Sequence, residues 1–260
     1  MTTLAIVATL LALTMVGPTW VFLRERAQRK QRGILSDWPI RKIGVEDLDP
    51  IFRMGPLGPT VATEVVLIGG TELARVVGAT SDEEAWVLAA LSKRARLLFE
   101  FGTATGRTAY LWARNSPSDA RVVTLTLRPD DVARYAHARG DAGSDLRNAM
   151  SESRFNTFYY SGTPVESKVT QLFGDSKSFD EAPYIGRCDV VFVDGSHARS
   201  YVESDSRKAL RMVRPGGIVL WHDYRGRRIP GVFHALNALA RELPLVHVRR
   251  TSLVAYRAPG

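Results

Sequence analysis

The sequence predicts an α/β fold built on a doubly wound, mostly parallel sheet. From residue 96 onward, short apolar runs with the composition of strands alternate with longer segments that have the composition of helices. Such alternation is typical of right-handed βαβ units, in which helices cover both faces of a parallel sheet. The last two predicted strands are separated only by Arg249–Thr251, and this short connection predicts an antiparallel hairpin strand at the C-terminal end.

The N-terminal residues predict a membrane anchor. Leu4 to Leu23 form a run of 20 residues without a charged side chain, and a helix of that length can cross a hydrocarbon core of about 30 Å. Five basic residues and one acidic residue follow between Arg24 and Arg32. Because signal peptides carry their positive charge before the apolar run, the pattern favours an uncleaved transmembrane helix over a signal peptide. The positive-inside rule then predicts a single-pass protein of the cell membrane whose folded domain is cytoplasmic.

Three segments are predicted along the chain. Residues 1–32 form the anchor with its basic stop segment, residues 33–80 a linker and N-terminal cap, and residues 81–260 the folded domain. Half of the net charge of +8 lies in residues 24–32 and the rest is spread out, so nucleic-acid binding is not predicted. The single cysteine, Cys188, opens an apolar run and predicts a buried structural thiol.

The predicted elements of the folded domain begin with a helix from about Ser81 to Lys93, because residues 80–84 supply an N-cap and an acidic first turn. The predicted strands are Leu97–Phe101, Val122–Leu127, Val169–Phe173, Val190–Val193, Gly217–Trp221, Leu245–Val248 and Ser252–Tyr256. The predicted helices between them are Arg107–Asn115, Asp130–Ala138, Ala198–Val213 and Val232–Leu243. Residues 140–162 are polar and glycine-rich, which leaves open a lid or insertion near a ligand crevice and a surface loop.

A glycine turn follows the first strand of this domain. Glu100, Gly102 and Gly106 have the spacing Glu-x-Gly-x-x-x-Gly, and a helix is predicted to start directly afterwards. Free backbone N–H groups at such a turn form a cradle for a polar ligand. The first glycine of the dinucleotide motif Gly-x-Gly-x-x-Gly is missing, which argues against a nicotinamide-dependent oxidoreductase. The turn resembles motif I of the class I S-adenosylmethionine-dependent methyltransferases.

Polar side chains recur where the later strands end, which is where open α/β sheets bind ligands. They are Thr126, Asp175, Ser176, Asp194, His197, His222 and Asp223. Core packing gives no reason for this pattern, because a buried carboxylate costs several kcal/mol unless it is paired or liganded. Helix N-capping would explain Asp175 and Ser196, but no clear helix starts at His222.

An ordered set of motifs resembles the type 24 methyltransferase family, whose relatives include small-molecule and sugar O-methyltransferases. The motifs are Val-Phe-Val-Asp-Gly-Ser-His at 191–197, Arg-Pro-Gly-Gly at 214–217 and Leu-Trp-His-Asp-Tyr at 220–224. The resemblance covers roughly residues 80 to 257 and implies a Rossmann-like fold, a seven-stranded sheet and S-adenosylmethionine as cofactor. The cofactor-binding residues that it implies are Glu100, Gly102, Thr103, Gly106, Thr126, Asp175, Ser176 and Asp194. Thr126 departs from the family, which often has a ribose-binding acid there; Asp130 or Asp131 could replace that acid.

Methyl transfer to a hydroxyl requires an aligned nucleophile and the loss of a proton. The candidate catalytic residues are Asp194, His197, His222 and Asp223. Two routes stay open: His197 or His222 acts as a general base, or Asp194, His222 and Asp223 hold Mg²⁺ or another divalent cation that acidifies the hydroxyl.

The sequence therefore predicts an S-adenosylmethionine-dependent methyltransferase that acts on a hydroxyl of a small-molecule, sugar or lipid-linked acceptor at the cytoplasmic face of a membrane. The alternative is a catalytically degenerate, membrane-tethered protein that keeps the fold as a binding or scaffold module. The threonine at position 126 motivates this alternative, because a hydroxyl is a weaker hydrogen-bond acceptor than a carboxylate.

Overall fold

The computed structural model describes residues 17–26, 40–64, 80–128, 130–131, 135–136 and 138–260. The strands in these ranges are β1 (Arg41–Ile43), β2 (Met54–Gly55), β3 (Gly58–Pro59), β4 (Leu97–Phe101), β5 (Arg121–Thr126), β6 (Val169–Phe173), β7 (Cys188–Val193), β8 (Val213–Trp221), β9 (Val246–Val248) and β10 (Val254–Arg257). The α-helices of the domain are α1 (Asp82–Ser92), α2 (Arg107–Asn115), α3 (Gly143–Glu152), α4 (Arg199–Met212) and α5 (Pro230–Leu239).

The main sheet has the strand order β1-β9-β10-β8-β7-β4-β5-β6. The five neighbouring strands β8, β7, β4, β5 and β6 are parallel to one another. β10 is antiparallel to both of its neighbours, β8 and β9. The structure thus confirms the predicted mostly parallel sheet with its antiparallel C-terminal hairpin strand. The order of strands reverses between β4 and β7, so the carboxyl ends of these two strands flank the switch point.

An eighth strand joins the seven that the sequence predicts. β1 comes from the segment predicted to be linker and pairs in parallel with β9, Lys42 lying opposite His247. The prediction missed it because three residues are too few to show an alternating apolar pattern. From the sequence, residues 61–68 could be a short strand or part of a helix; residues 61–64 are neither, and residues 65–68 lie outside the described residues.

Two layers of apolar side chains enclose the central strands. On one face Leu98 packs with Trp112 of α2 and with Leu88 of α1. On the other, Phe99 and Phe101 pack in the layer that α4 and α5 cover. Because both faces are covered, β4 is apolar at four of its five positions rather than at alternate ones, Glu100 being the exception.

The structure differs from one helix prediction and contains a helix in one region that the sequence left open. The predicted helix Asp130–Ala138 is wrong at residues 135, 136 and 138, which have no helical conformation. Their backbone amides bond to side chains instead: Ala136 donates to the Tyr201 hydroxyl over 2.8 Å and Ala138 to Asp141 over 2.9 Å. Within the open region 140–162, in contrast, α3 forms a helix. Its sequence hid this because Leu146 and Met150 are exposed, so the apolar stripe is weak.

The predicted anchor lies only partly within the described residues. Residues 17–26 are helical, and Trp20, Val21, Phe22 and Leu23 are each more than half exposed. Residues 4–16 of the predicted span lie outside the described residues. Among the residues that are described, no helix has the length and apolar character needed to cross a bilayer.

Candidate active site

The glycine turn after β4 brings two strand ends into close contact. Gly102 has a φ of 101° and donates its N–H to the Leu125 carbonyl over 2.8 Å. A Cβ atom at this position would lie 2.1 Å from the carbonyl oxygen of Asp194. Gly106 has a φ of 77°, and its Cβ would lie 2.8 Å from the ring of Tyr160. Only glycine therefore fits at the two positions where the sequence places it.

A cavity opens beside this turn at the carboxyl ends of β4 to β7. The empty space within it, which includes its open mouth, is about 470 Å³. Four residues predicted to bind the cofactor line it, namely Gly102, Thr126, Asp175 and Ser176. The cavity lies where a doubly wound sheet is expected to bind its ligand.

The wall of this cavity is acidic and aromatic. It carries the carboxyl groups of Glu152, Asp175 and Asp205, and no lysine or arginine is among the described residues that line it. Tyr201 donates to Asp175 over 2.9 Å and stacks on Tyr135 with ring centroids 4.5 Å apart. Such a wall suits a ligand that is cationic and partly aromatic.

Asp205 is the least satisfied group of the wall. It is 1% exposed, and its Oδ1 atom has no hydrogen-bond partner among the described residues. Burial raises the pKa of Asp205 to about 7. Burial also raises the pKa of Glu152, at the end of α3, to about 7. A buried, unpaired carboxyl oxygen is costly, so Asp205 is suited to receive a donor from a ligand, and a positive charge nearby would favour the ionised form of both groups.

Other predicted cofactor residues lie behind the glycine turn. Thr124 donates to Glu100 over 2.7 Å and shares a 2.8 Å hydrogen bond with Thr103. Burial, with a smaller contribution from the charge of Asp194, raises the pKa of Glu100 to about 8. Neither Glu100, Thr103 nor Gly106 is among the described residues that line the cavity. In this geometry they support the turn.

Thr126 lies in the cavity wall where the sequence places it, at the end of β5. The two acids considered as replacements are elsewhere. Asp130 is exposed and Asp131 half-buried, and the described wall includes neither. The acids that do reach the cavity come from α3 and α4 and from the loop after β6.

The four predicted catalytic residues form one cluster. His222 lies with Nδ1 2.9 Å from Asp194 Oδ1 and 3.5 Å from Asp223 Oδ2. His197 reaches the same carboxylate, with Nε2 2.9 Å from Asp223 Oδ2. Asp223 has a φ of 58°, a left-handed conformation that is costly for an ordinary residue and is often found at functional sites.

Glu84 from α1 completes the cluster, although its sequence position indicated only a helix cap. Its Oε2 lies 3.2 Å from His222 Nε2, and it forms a capping box with Ser81. Its Oε1 accepts from the backbone and hydroxyl of Ser252 over 2.6 and 2.7 Å. Hydrogen bonds from His222 and Ser252 outweigh burial and hold the pKa of Glu84 well below its usual value.

Both histidines of the cluster have raised pKa values. Burial lowers the pKa of His222, but Asp194, Asp223 and Glu84 outweigh it and raise the pKa well above 6.5. Burial also lowers the pKa of His197, but the hydrogen bond and the charge of Asp223 outweigh burial and raise it. Each imidazole therefore carries a proton more readily than a free histidine does.

The cluster also fits a divalent cation. One ligand atom each from Asp194, His222 and Asp223 lie within 4.8 Å of one another. Two carboxylates and one imidazole suit Mg²⁺ or Mn²⁺. Glu84 on the far nitrogen of His222 is the outer carboxylate that metal-binding histidines usually have. The predicted metal ligands are thus brought together, with a partner that the sequence did not reveal.

The residues that sequence reasoning missed come from elements far along the chain. Glu84 is 138 residues from His222, and its motif is that of an ordinary helix cap. Glu152 and Asn148 lie on α3, where no helix was predicted. The Nδ2 atom of Asn148 lies 3.3 Å from Nδ1 of His197. Tyr201 and Asp205 lie on α4, a few residues after the motif at 191–197, and no role was predicted for them.

A family model matches the centre of the domain. Residues 99–224, just under half of the chain, match the model named Methyltransf_24 and described as a methyltransferase domain. The match runs from β4 to the residues after β8, so it includes the glycine turn, the cavity and the cluster around His222. It confirms the resemblance to the type 24 methyltransferases.

Several solved structures are similar to the chain. The O-methyltransferase TomG from Streptomyces achromogenes, in complex with SAM, is 19% identical over 69% of this chain and 82% of that chain, with a TM-score of 0.47. The O-methyltransferase from Bacillus cereus, in complex with SAH, is 18% identical over 70% of this chain and 84% of that chain, with a TM-score of 0.44. No curated protein sequence matches the chain.

Proposed function

Residues 99–224 form a methyltransferase domain of the type 24 family, and on this premise we propose that the chain transfers a methyl group from S-adenosylmethionine to a hydroxyl of a small acceptor molecule. The observation that carries the proposal is the position of the carboxylate–histidine cluster. It lies at the ends of β7 and β8, directly beside the cavity that Gly102 and Asp175 line.

The cavity has the chemistry that this cofactor needs. S-adenosylmethionine carries a sulfonium and an ammonium group, and the carboxyl groups of Glu152, Asp175 and Asp205 offer the complementary charge. Tyr135 and Tyr201 provide aromatic surface for adenine. The structure of TomG was solved in complex with SAM, and that of the O-methyltransferase from Bacillus cereus in complex with SAH.

The cluster provides a place to remove the proton of the hydroxyl. A histidine acts as a base only in its neutral form, and the raised pKa values of His197 and His222 oppose that form at neutral pH. A divalent cation held by Asp194, His222 and Asp223 would require the same neutral ring, with the cation in place of the proton on Nδ1, so both routes stay open. Such a cation lowers the pKa of a bound hydroxyl, and Glu84 would then hold the proton on Nε2 of His222 and fix the ring.

Titration calorimetry of the full chain with S-adenosylmethionine tests the cofactor proposal. We expect Asp175→Asn to weaken binding by about tenfold, as loss of one charged hydrogen bond does. The matched control is Asp180→Asn, because Asp180 is exposed on the same loop and is not part of the described cavity wall. Absence of binding by the unaltered chain would favour the scaffold alternative, which the threonine at position 126 motivates.

Transfer of a labelled methyl group, with and without a chelator, separates the two routes of proton removal. Activity that disappears with chelation and returns with Mg²⁺ or Mn²⁺ supports the metal route. Activity that is indifferent to the chelator supports a base among the cluster residues.

The location that we propose is a membrane surface, with the N-terminal segment as anchor. The apolar run Leu4 to Leu23 and the basic residues behind it support this, as do the exposed apolar side chains of residues 20–23. Such a location would suit a lipid-linked acceptor. Retention of the chain in membranes after an alkaline wash would support an integral anchor, and complete release would contradict it.

A further inference from the structure

A second cavity adjoins the catalytic cluster. It has a volume of about 670 Å³ and is formed by the start of α1, the loop after β8 and the β9–β10 turn. Glu84 belongs to its wall and also contacts His222. Arg225 belongs to its wall and pairs with Asp223 through Nε over 2.8 Å. The second cavity therefore adjoins the cluster through Glu84 and Arg225, as an acceptor site would.

The wall of the second cavity is basic, in contrast to that of the first. Arg225, Arg228 and Arg250 line it, and Glu84, which His222 already pairs, is the only acid among its described lining residues. Arg228 forms no ion pair with any residue that the structure describes. Arg225 pairs with Asp223 through Nε, and its side chain is about half exposed. Arginine is the side chain best suited to bind phosphate or carboxylate through paired hydrogen bonds.

Arg250 occupies an unfavourable backbone position for an arginine. It lies in the β9–β10 turn with a φ of 65°, where glycine or asparagine would be less strained. Its only described ion pair, to Glu83 at 3.0 Å, is exposed, and exposed pairs contribute little to stability. The turn itself thus gives no reason for arginine here, whereas a ligand in the cavity would.

An apolar groove adjoins the basic cavity. Its volume is about 760 Å³, it shares Arg250 and Thr251 with the basic cavity, and its wall includes Trp86, Val87 and Met54. Met54 is 51% exposed. A molecule with an anionic group among the arginines could therefore place an apolar part against Trp86 without leaving the surface.

We propose that the cavity lined by Arg225, Arg228 and Arg250 binds an anionic group, a phosphate or a carboxylate, of the methyl acceptor, whose apolar part lies in the groove beside Trp86. The proposal rests on the proposed function, since it identifies the second cavity as the acceptor side of the same reaction. It narrows the acceptor from any hydroxyl compound to an amphipathic anion.

The test uses the full chain in a non-ionic detergent at pH 7 and low salt. Inorganic phosphate and n-butyl phosphate are titrated by calorimetry, and S-adenosylhomocysteine is titrated separately. We expect both phosphates to bind, and n-butyl phosphate to bind at least threefold more tightly because its chain leaves water.

Arg228→Ala should weaken the binding of both phosphates by about tenfold or more. Arg227→Ala is the matched control, because Arg227 is exposed in the same turn but is not among the described residues of the cavity wall. Trp86→Phe should reduce the advantage of the butyl chain and leave inorganic phosphate unchanged.

The outcomes separate this proposal from the proposed function. Binding of S-adenosylhomocysteine without binding of either phosphate, or equal effects of Arg227→Ala and Arg228→Ala, would overturn the acceptor proposal and leave the methyltransferase proposal intact. If the unaltered chain does not bind S-adenosylhomocysteine, the proposed function is overturned, and the acceptor assignment with it. Loss of phosphate binding in Arg228→Ala with unchanged S-adenosylhomocysteine binding supports both.

Discussion

Five carboxyl groups of this domain fall into two classes whose pKa values shift in opposite directions, while burial raises the pKa of Asp194 even though it contacts His222. Glu84 and Asp223 contact protonatable histidines, and their pKa values are lowered. Glu100, Glu152 and Asp205 are buried without a cationic partner of comparable strength, and their pKa values are raised to between about 7 and about 8. The first class is charged at neutral pH, whereas the second is partly neutral until a cation arrives. Environments that separate pKa values in this way are typical of active sites.

Glu100 makes the stability of the domain depend on pH. Its pKa is about 8 in the folded state, against an ordinary value of 4.5. The folded state therefore binds an extra proton between these values, so the contribution of Glu100 to stability is complete below pH 4.5 and is lost as the pH rises through about 8. Through Glu100, the unaltered chain should lose roughly 3–5 kcal/mol of unfolding free energy between pH 5 and pH 8. Glu100→Gln has no carboxyl group to ionise and should not show this loss. Urea unfolding at the two pH values measures this difference.

Glu242→Gln is the control for that experiment, because Glu242 is exposed at the end of α5. The variant should follow the unaltered chain at both pH values. If Glu100→Gln also follows it, the carboxyl group of Glu100 is ionised in the folded state and the assignment of a raised pKa is wrong.

The sequence revealed the residues of the site that follow strands and missed those that do not. Asp194, His222 and Asp223 were predictable because parallel strands bring their carboxyl ends to one edge of the sheet. Glu84 and Glu152 reach the same edge from helices, and no local pattern distinguishes a functional glutamate from a solvated one. Thr126 could be placed but not interpreted, because the acids that reach the cavity come from other elements.

At the scale of elements, the close approach of β4 to the loop after β7 depends on one glycine. Gly102 and Gly140 both have a φ of 101°, but their surroundings differ. A Cβ at Gly102 would lie 2.1 Å from a backbone oxygen, whereas a Cβ at Gly140 would have nothing within 4 Å. The pair separates the cost of a left-handed backbone from the cost of a steric clash.

We expect Gly102→Ala to lower the free energy of unfolding by at least 3 kcal/mol, or to prevent folding, because overpacking adds about 1–3 kcal/mol to the strain of the backbone. Gly140→Ala should cost about 1 kcal/mol, the strain alone. Urea unfolding of both variants measures the difference. Equal costs would mean that β4 and the β7 loop can move apart, and would contradict the role given to Gly102.

Elements with many residues and two covered faces were predictable, and short or exposed ones were not. The apolar run of β4 predicted its bounds, and the capping residues of α1 predicted its start. β1 has only three residues and depends for its existence on β9, which is more than two hundred residues away. α3 exposes Leu146 and Met150, so its apolar pattern is too weak to predict a helix.

At the scale of the whole molecule, the segment predicted to be linker is part of the folded domain. β1 extends the main sheet, and Ile43, Leu48 and Phe52 belong to the core. Phe52 is fully buried, with its ring centroid 5.0 Å from that of Trp86. Arg257 at the other end of the chain donates to the Leu48 carbonyl over 3.2 Å. The cap is therefore joined to the sheet by hydrogen bonds and by apolar packing.

This arrangement predicts where the chain can be shortened. A fragment of residues 40–260 should unfold cooperatively in urea and retain binding of S-adenosylmethionine, because every strand of the main sheet is present. A fragment of residues 81–260 loses the burial of Ile43, Leu48 and Phe52, each contributing about 1.5–3 kcal/mol, and leaves the edge of β9 unpaired. The summed loss is comparable to the total stability of a domain, about 5–15 kcal/mol, so we expect the shorter fragment to be largely unfolded or aggregated.

Equal unfolding midpoints for the two fragments would show that residues 40–80 are dispensable, as a linker would be. A lower midpoint with intact cofactor binding would limit their role to stability, since none of them is among the described residues that line the cofactor cavity.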